Sequence, residues 1–441
     1  MPSRRRIRLA FVVVLLLSVA VLANGAMKAP TTASTSEVPR PEPRDNATVV
    51  TESARFGTII AWNPDGSLLY YEDEHTKYYD VDRVPNTSMT VEYAATDTIH
   101  TEGPTCSSPP CTRNVVERVN LSTGEVTEIY ARYDHDEYAG EWHDHERVNE
   151  THILVADMIE DQVFMVNTET EIIEWMWDAQ SDYPVEGGGP YPDDWAHLND
   201  VELLDDGRVM VSMRNQDQVA FIDRETGVVE NWTLGSEDDH ETLYEQHNPD
   251  YIPEERGGPA VLVADSENAR IIEYQREGEG WTKSWEWSDD EMQWPRDADR
   301  LPNGNTLITD TNGKRLIEVN QQGEIVWEVP LSHPYDAERL GTGPESSTGE
   351  SARHLGLESR TSTVGSDDGF SLLAIIRDLV RIVIPARIFN AVIFVAPVWM
   401  GRAEFFAAFV GILASLGWIG FELKWWLPDF ELRSPVVRKD R

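Results

Sequence analysis

The central part of the chain repeats one pattern of residues, with a period of about 45. The segment 296–329 (RDADRLPNGNTLITDTNGKRLIEVNQQGEIVWEV) resembles 199–232 (NDVELLDDGRVMVSMRNQDQVAFIDRETGVVENW). Each alternates apolar and polar residues through four short strands, with glycine in the turns. Related segments begin at His143 and His247. Two looser copies, TIIAWNPDGSLLYYEDEHTKYYDVD and DTIHTEG with TRNVVERVNLSTGEVTEIY, precede them.

Six such units constrain the fold strongly. A four-stranded unit cannot bury its apolar face alone, so copies must stack on one another. The sequence therefore predicts an all-β chain, a six-bladed β-propeller over residues 54–340. A β-sandwich with irregular strand spacing is the alternative, but the periodic glycines and the closing segments VVENW, IIEWMW and IVWEV favour the propeller. The flanking stretches 28–53 and 341–369 are rich in Pro, Thr, Ser, Gly and Glu, which predicts disordered tethers.

Both ends of the chain carry apolar segments that predict contact with membrane lipid. Residues 1–27 place an apolar run behind four arginines, which is typical of a signal peptide or of a signal anchor whose N-terminus stays in the cytoplasm. Near the other end, 388–400 and 405–421 are apolar, and 371–384 has the charge pattern of an interfacial amphipathic helix. We expect membrane-associated helices over 370–427, two of them forming a hairpin.

The sequence leaves open on which side of the membrane each end of the chain lies. The basic tail 428–441 favours a cytoplasmic C-terminus. Export of the propeller is favoured by the two cysteines, Cys106 and Cys111, which lie five residues apart in CSSPPC and predict a local disulfide. It is also favoured by five Asn-x-Ser/Thr glycosylation acceptors, at Asn46, Asn86, Asn120, Asn149 and Asn231. We predict a propeller on the extracellular face of a cell membrane.

The charge balance excludes one class of partner. Asp and Glu number 78 against 37 Lys and Arg, which gives a formal net charge of −41. Nucleic-acid binding needs basic stripes that contact phosphates, and this chain lacks them. Such an acidic excess would repel itself in dilute salt, so it indicates a halophilic protein kept in concentrated salt. An acidic surface on an ordinary protein is the alternative.

Equivalent positions in the repeats carry polar residues. Aligning the repeats places His143, Asn199 and Arg296 at the start of one strand, each directly before an Asp. His247 falls at the same place when an insertion in its repeat is allowed. The innermost strand of each propeller blade begins beside the central channel, so equivalent residues form a ring. We expect the repeated Asp to be structural and to accept backbone N–H bonds between blades.

Three histidines and several hydrogen-bond donors are therefore predicted at one mouth of the channel. A neutral histidine serves as a nucleophile or general acid/base, while Arg and Asn hold the oxygens of an anion, which suits transfer of a sulfuryl or phosphoryl group. The sequence shows neither the carboxylate cluster of a metal-dependent hydrolase propeller nor a Gly-x-Ser-x-Gly elbow, so neither a metal nor a cofactor is expected. The candidate catalytic residues are His143, His197 and His247, and the candidate substrate-binding residues are Asn199, Arg214, Asn215, Arg270 and Arg296.

Two stretches carry a resemblance to a known family. DWAHLND, followed by VMVSMRNQ, is similar to the arylsulfate sulfotransferase signature Asp-Trp-x-His-x-Asn with Ser-x-Arg-His/Asn-Gln. EQHNPDY with VLVADSENARIIEY resembles the strands that follow in that family. The resemblance extends over roughly 142–327 and is closest over 194–223. It implies a secreted six-bladed propeller in which an aryl sulfate donates its sulfuryl group to a histidine and a phenol then accepts it, without a nucleotide donor.

The resemblance also assigns roles to residues of this chain. It implies that His197 and Asn199 form the catalytic His-x-Asn pair, that His247 is the second catalytic histidine, and that Arg270 binds sulfate. The nucleophilic histidine of the family belongs to a later blade, and the corresponding segment here, WPRDADRLPNGNTLITDTNGKRLIEV, contains no histidine. His333, just beyond it, aligns poorly.

This departure leaves two hypotheses for the function. Either another ring histidine, His247 or His143, is the nucleophile of a membrane-anchored arylsulfotransferase-like enzyme, or the covalent chemistry is lost. In the second case the chain is a non-catalytic propeller that binds an anionic ligand or a partner protein at the cell surface. A quinone-dependent dehydrogenase would need eight blades and a pattern of tryptophans that stack on the cofactor, so the repeats argue against it.

Overall fold

The computed structural model describes residues 4–27, 38–53, 57–134, 140–361, 385–397 and 399–426. Its strands form six antiparallel sheets of four or five strands each. These sheets are the blades of a six-bladed β-propeller, which confirms the predicted fold.

Each blade runs from an inner strand beside the channel to an outer strand at the rim. Listed from inner to outer, blade 1 contains β25 (Pro334–Arg339), β1 (Thr48–Glu52), β2 (Thr58–Trp62) and β3 (Leu68–Glu72), and blade 2 contains β4 (Lys77–Arg83), β5 (Thr90–Ile99), β6 (Cys111–Asn120) and β7 (Glu125–Asp134). Blade 3 contains β8 (Trp142–Arg147), β9 (His152–Asp157), β10 (Gln162–Asn167) and β11 (Ile172–Asp178), and blade 4 contains β12 (Leu198–Leu203), β13 (Val209–Met213), β14 (Gln218–Asp223), β15 (Gly227–Val228) and β16 (Leu234–Gly235). Blade 5 contains β17 (His247–Ile252), β18 (Ala260–Asp265), β19 (Arg270–Glu277) and β20 (Gly280–Trp287), and blade 6 contains β21 (Pro295–Arg300), β22 (Thr306–Asp310), β23 (Arg315–Val319) and β24 (Ile325–Pro330).

The ring of blades is closed by strands from both ends of the propeller sequence. β25 pairs with β1 in antiparallel register, with Thr48 opposite Arg339. Blade 1 therefore combines an inner strand from the C-terminal end with three strands from the N-terminal end. The first inner strand along the chain is β4, which the sequence analysis assigned to the preceding unit.

The propeller extends beyond the predicted limits of 54–340. β1 lies inside the stretch 28–53, which was predicted to be a tether, and all five of its residues are buried. It is ordered because it is hydrogen-bonded on both sides, to β2 and to β25. After β25 the chain continues to pack on the blades, and Ser346 and Ala352 are fully buried. Residues 362–369 of the second predicted tether lie outside the described residues.

The hydrophobic core lies between adjacent blades. Leu154 of blade 3 packs in one cluster with Val211 of blade 4, and Leu262 of blade 5 packs in another with Ile308 of blade 6. Every blade thus buries apolar side chains against its neighbours, which is why the unit had to repeat.

Two local predictions are confirmed. Gly207 and Gly304 occupy the equivalent turns of blades 4 and 6, with φ of +87° and +80°. A residue with a Cβ rarely adopts this conformation, so these turns require glycine. Cys106 and Cys111 are joined in a disulfide.

A buried ion pair joins blades 5 and 6, and it predicts a large loss of stability on mutation. Arg300 lies 3.0 Å from Glu273, and both side chains are at most 1% exposed. Arg300→Ala would leave the Glu273 carboxylate buried without its cation, so we expect the free energy of unfolding to fall by about 3–5 kcal/mol. Lys283→Ala removes an exposed ion pair with Glu286 and should cost less than about 1 kcal/mol. Denaturant titration of both variants in molar salt measures the difference, and equal losses would contradict the prediction.

Two helices, α1 (Arg4–Met27) and α4 (Arg402–Trp426), are long and apolar enough to cross a membrane. They belong to one compact unit, in which Arg8 lies 2.6 Å from Glu422. Two shorter helices follow the blades in sequence, α2 (Ala352–Leu355) and α3 (Ala386–Val395). Five single-turn 3₁₀ helices lie in the connections, at Ala179–Ser181, Arg214–Gln216, Glu230–Trp232, Glu254–Arg256 and Pro344–Ser346.

The hairpin of 388–400 with 405–421 stays a prediction. In the structure the first of these segments contributes to α3, which is ten residues long and contacts the propeller through two polar side chains. The Asn390 side chain donates to Glu267 at 2.7 Å, and Arg387 forms an ion pair with Glu245. The predicted amphipathic helix 371–384 lies outside the described residues.

Candidate active site

The six inner strands share one irregularity. In each, the register with the neighbouring strand shifts at an Asp or at the residue before it. A β-bulge of this kind re-aims a side chain, here toward the channel. The structure therefore places His143, Asn199 and Arg296 at equivalent positions of blades 3, 4 and 6. The bulge residues are Tyr79, His143, Asn199, Arg296, Tyr335 and, in blade 5, the segment 248–249, which directly follows His247.

His197 precedes the bulge of blade 4 and has a left-handed φ of +51°. This conformation costs energy for a residue with a Cβ and is frequent at functional sites. Its Nδ1 lies 2.5 Å from Asp194 Oδ1, and its Nε2 lies 2.7 Å from Arg214 Nη1. A guanidinium only donates, so Nε2 carries the lone pair and Nδ1–H donates to Asp194. Burial and the Arg214 charge lower the pKa of His197 to about 4, which leaves the ring neutral at neutral pH.

His247 is fully buried in β17, and its tautomer is fixed by its neighbours. Nδ1 lies 2.8 Å from Ser266 Oγ and 3.1 Å from the Glu245 carbonyl oxygen. The Ser266 hydroxyl donates to the Pro295 carbonyl at 2.7 Å, so both groups accept from Nδ1–H. The lone pair is therefore on Nε2, which accepts a hydrogen bond from Arg296. Burial and the Arg296 charge lower the pKa of His247 well below its ordinary value.

His143 lies beside these groups in an aromatic setting. Its ring centroid is 5.0 Å from that of His197, 4.6 Å from Tyr79 and 5.7 Å from Tyr335. Burial and the neighbouring positive charges lower the pKa of His143 well below its ordinary value. Its Nδ1 is buried and has no hydrogen-bond partner among the described residues. This nitrogen is therefore available to a ligand that enters the site.

His333 is a further histidine of this region, and the sequence analysis did not include it among the candidates. It stands three residues before Asp336, as His197 stands three residues before Asp200. It is 1% exposed, its ring lies 5.5 Å from that of Phe394, and neither ring nitrogen has a partner in the described part of the chain. Burial and nearby cations lower the pKa of His333 to about 3. The shared His-x-x-Asp spacing is the signal that could have identified it.

Two of the predicted substrate-binding residues support the segments that carry the histidines. Asn199 donates to the carbonyl of Gln246 at 2.9 Å, directly before His247. Asn215 donates to the carbonyl of Asp194 at 2.6 Å. These bonds fix the backbone of both histidine segments, so the two amides hold the site together.

The structure does not place Arg270 among the groups that contact the histidines. Its Nε donates to Asp265 at 2.6 Å, and its Nη2 donates to the carbonyl of Glu241 at 2.7 Å. The same bond recurs in blade 6, where Arg315 donates to Asp310 at 2.8 Å. A bond repeated between the ends of equivalent strands belongs to the blade framework. In the structure Arg270 therefore has a framework role, and its binding of sulfate stays a prediction.

Helix α3 reaches the same region through two side chains. The Phe394 ring centroid lies 6.0 Å from the Arg296 guanidinium. Arg387 forms an ion pair with Glu245, whose other carboxylate oxygen lies 3.1 Å from Arg214. Glu245 thus links the helix to a guanidinium that faces a candidate catalytic histidine.

A family model described as arylsulfotransferase matches residues 126–332, a little under half of the chain. Residues 126–332 are therefore similar to the arylsulfotransferase family. The match begins in β7 and ends directly before His333. It includes both histidine–arginine pairs of the candidate site, His197 with Arg214 and His247 with Arg296.

Solved structures similar to this chain have low sequence identity to it. One is a protein of unknown function from Bacteroides caccae, at 10% identity and a TM-score of 0.45, covering 66% of this chain and 97% of that one. The periplasmic gluconolactonase of Pseudomonas aeruginosa has 12% identity and a TM-score of 0.42, covering 68% and 99%. The virginiamycin B lyase of Staphylococcus aureus has 11% identity and a TM-score of 0.35, covering 55% and 77%. A search of curated proteins found no match.

Proposed function

We propose that the protein transfers a sulfuryl group from an aryl sulfate to a phenol, with His247 as the nucleophile. One observation carries the proposal: two buried, neutral imidazoles each present an Nε2 lone pair to a guanidinium. The pairs are His247 with Arg296 and His197 with Arg214. A nucleophile needs a free lone pair, and an anionic donor needs fixed cations, so this pairing suits attack on a sulfate ester.

The guanidiniums bind the donor in this mechanism. Arg296 and Arg214 exchange their hydrogen bonds to the imidazoles for bonds to the sulfuryl oxygens, which frees each Nε2. The Arg296 guanidinium lies 4.0 Å from the centroid of Trp294 and 5.5 Å from that of Tyr335. These aromatic rings can pack against the aryl group of the donor.

In the first half-reaction, Nε2 of His247 attacks the sulfur, and the bond between sulfur and the aryl oxygen breaks. The aryl oxide leaves with the electron pair of that bond. The ring gains positive charge as it forms the N–S bond. Its Nδ1–H then donates more strongly to the Glu245 carbonyl and to Ser266, which already hold it at 3.1 and 2.8 Å.

In the second half-reaction, a phenol occupies the place of the aryl oxide. Nε2 of His197 takes the phenolic proton, the phenol oxygen attacks the sulfur, and the N–S bond breaks with its electron pair returning to His247. Asp194, 2.5 Å from Nδ1, stabilises the imidazolium that forms on His197. The proton then leaves to solvent and balances the aryl oxide released in the first half-reaction.

A second candidate function is a propeller that binds an anion or a partner protein without turnover. The contact of α3 favours it, because Phe394 lies beside Arg296 and Arg387 pairs with Glu245 at the site.

One experiment distinguishes the two functions. The full-length protein, in detergent and molar salt, is incubated with a nitrophenyl sulfate and a phenol. The enzyme hypothesis predicts nitrophenol release that increases with the phenol concentration. Folded protein that releases no nitrophenol with any donor and acceptor tested would favour the binding function. We also propose that the protein is anchored in a membrane and that its propeller lies on the extracellular face.

The pH dependence of turnover follows from the pKa of His197. The lowered pKa of about 4 means that His197 is neutral, and able to accept a proton, at all higher pH values. We expect kcat/KM for the phenol to stay level as the pH is lowered to about 5 and to fall roughly tenfold per pH unit below about pH 4. Rates measured against pH, with circular dichroism at each point to exclude unfolding, test this. An acid limb near the ordinary imidazole value of about 6.5 would contradict it.

A further inference from the structure

A ring of carboxylates surrounds the propeller axis next to the histidine site. Each of the six inner strands contributes the Asp at its bulge, and all six line one cavity of about 40 Å³. A second set of acidic residues lines the same cavity. The ring consists of Asp80, Asp144, Asp200, Asp250, Asp297 and Asp336, and the second set of Asp82, Glu202, Asp299, Glu338 and Glu345. This cluster corrects the sequence-based expectation that the chain lacks one.

Part of the ring has the structural role that the sequence predicts. Asp144 accepts a hydrogen bond from the backbone N–H of Val201 in the next blade. Asp336 accepts one from Val81 at 2.7 Å, across the junction of blades 1 and 2. These bonds join neighbouring inner strands, and they account for one oxygen of each of these carboxylates.

Other oxygens of the cluster have no such role. Asp250, Asp297 and Asp299 are 9%, 4% and 4% exposed, and each has one buried carboxylate oxygen with no hydrogen-bond partner in the described ranges. All three residues line the axial cavity, so the unpartnered side chains are directed into it. Buried polar atoms are normally paired, and an exception requires an explanation such as an ion.

The carboxylates are also too close together to be all charged without compensation. Asp336 lies within hydrogen-bonding reach of both Asp80 and Asp297. Two carboxylates at such distances need either a shared proton or a cation between them.

We propose that this ring binds one divalent cation of the calcium type on the propeller axis. Calcium takes six to eight oxygen ligands at about 2.3–2.6 Å in flexible geometry, and the ring offers carboxylates from six independent strands. Magnesium requires stricter octahedral geometry and retains several waters. The cavity has room for one ion and a water. The bound ion would tie all six inner strands together directly below the histidines.

The test uses the full-length protein, freed of metal with a chelator and kept in detergent and molar NaCl. Calcium is titrated by isothermal calorimetry, and bound metal is counted by elemental analysis after gel filtration. We expect one calcium ion to bind per chain. Calcium should also raise the midpoint temperature of unfolding, and the same concentration of magnesium should not. Wild-type protein that retains no calcium, or that responds equally to both cations, would overturn the proposal.

Variants locate the ion. Asp250→Asn with Asp297→Asn keeps the side-chain shape and removes two charged ligands, so the calcium Kd should rise at least about tenfold. The control is Glu72→Gln, because Glu72, His75 and Glu117 form a separate acidic group that could hold a metal. Unchanged affinity in the double variant, or lost affinity in the control, would place the ion elsewhere and refute the axial site. If the double variant does not fold, elemental analysis of the wild type and the control decides alone.

Discussion

Replacing His247 with alanine is expected to lower kcat/KM for the aryl sulfate at least about 10⁴-fold, because no other atom forms the N–S bond in this mechanism. His197→Ala should lower kcat/KM for the phenol by roughly 10²–10⁴-fold, the usual contribution of a general base. The two variants should be defective in different half-reactions. His197→Ala should still accept the sulfuryl group from a donor with a good leaving group, since the base acts on the phenol in the second half-reaction. Steady-state rates and single-turnover release of the aryl oxide separate the two effects.

The controls address folding and the choice of histidine. His152→Ala removes an imidazole that lies 3.2 Å from Glu174 in the outer part of blade 3, and it should leave kcat/KM unchanged. His247→Gln preserves a polar side chain in the buried position and should remain folded by circular dichroism while inactive. Since His333 also carries a neutral imidazole near the site, His333→Ala is compared directly. Full activity of His247→Ala combined with loss in His333→Ala would show that the nucleophile has been assigned to the wrong residue.

The second large effect concerns salt. With a formal charge of −41, the protein is expected to unfold when NaCl is diluted from molar to about 10 mM at neutral pH. The Debye length grows from about 3 Å to about 30 Å over that change, so repulsion among surface carboxylates is no longer screened. Circular dichroism during stepwise dialysis measures the transition.

Two controls distinguish screening from other effects of salt. Sucrose at the same osmolality stabilises compact states without screening charge, so it should not replace NaCl. Acidification toward pH 5 removes negative charge from carboxylates with raised pKa values, so it should restore part of the structure at low salt. A spectrum that is unchanged from molar to millimolar NaCl would contradict the halophilic interpretation of the composition.

The repeat predicted the propeller because alternation and turn glycines report the local structure of every blade. It could not locate the closure, because β1 and β25 come from opposite ends of the propeller and each is short. β1 lies in a sequence whose flanking prolines and threonines resemble a tether. Only pairing with two partners makes it a buried strand.

Alignment of the repeats predicted the location of a site residue when that residue has the same position in each repeat. His143, Asn199 and Arg296 occupy equivalent bulges because their repeats align without gaps. Arg270 was predicted to bind substrate, although its spacing from Asp265 recurs in blade 6 and indicates the framework bond that the structure shows.

The carboxylate ring was missed for a different reason. Its members are far apart in the sequence, and each one, taken singly, has the structural role of accepting a backbone N–H. Only the closed ring brings six of them to one axis. The contact of α3 with the propeller could not be predicted, because an apolar segment predicts burial without specifying lipid or protein, and the hydrogen bond from Asn390 to Glu267 is visible only in the fold.

The most direct test of the account is to incubate the folded full-length protein in molar salt with a nitrophenyl sulfate and no acceptor, and then to map the modified peptide by mass spectrometry under neutral conditions. The account predicts one sulfuryl group per chain, located on His247, released on addition of a phenol and absent in His247→Gln. Stoichiometric nitrophenol release with no sulfuryl group on any histidine, or a group that a phenol does not remove, would contradict transfer through an enzyme histidine.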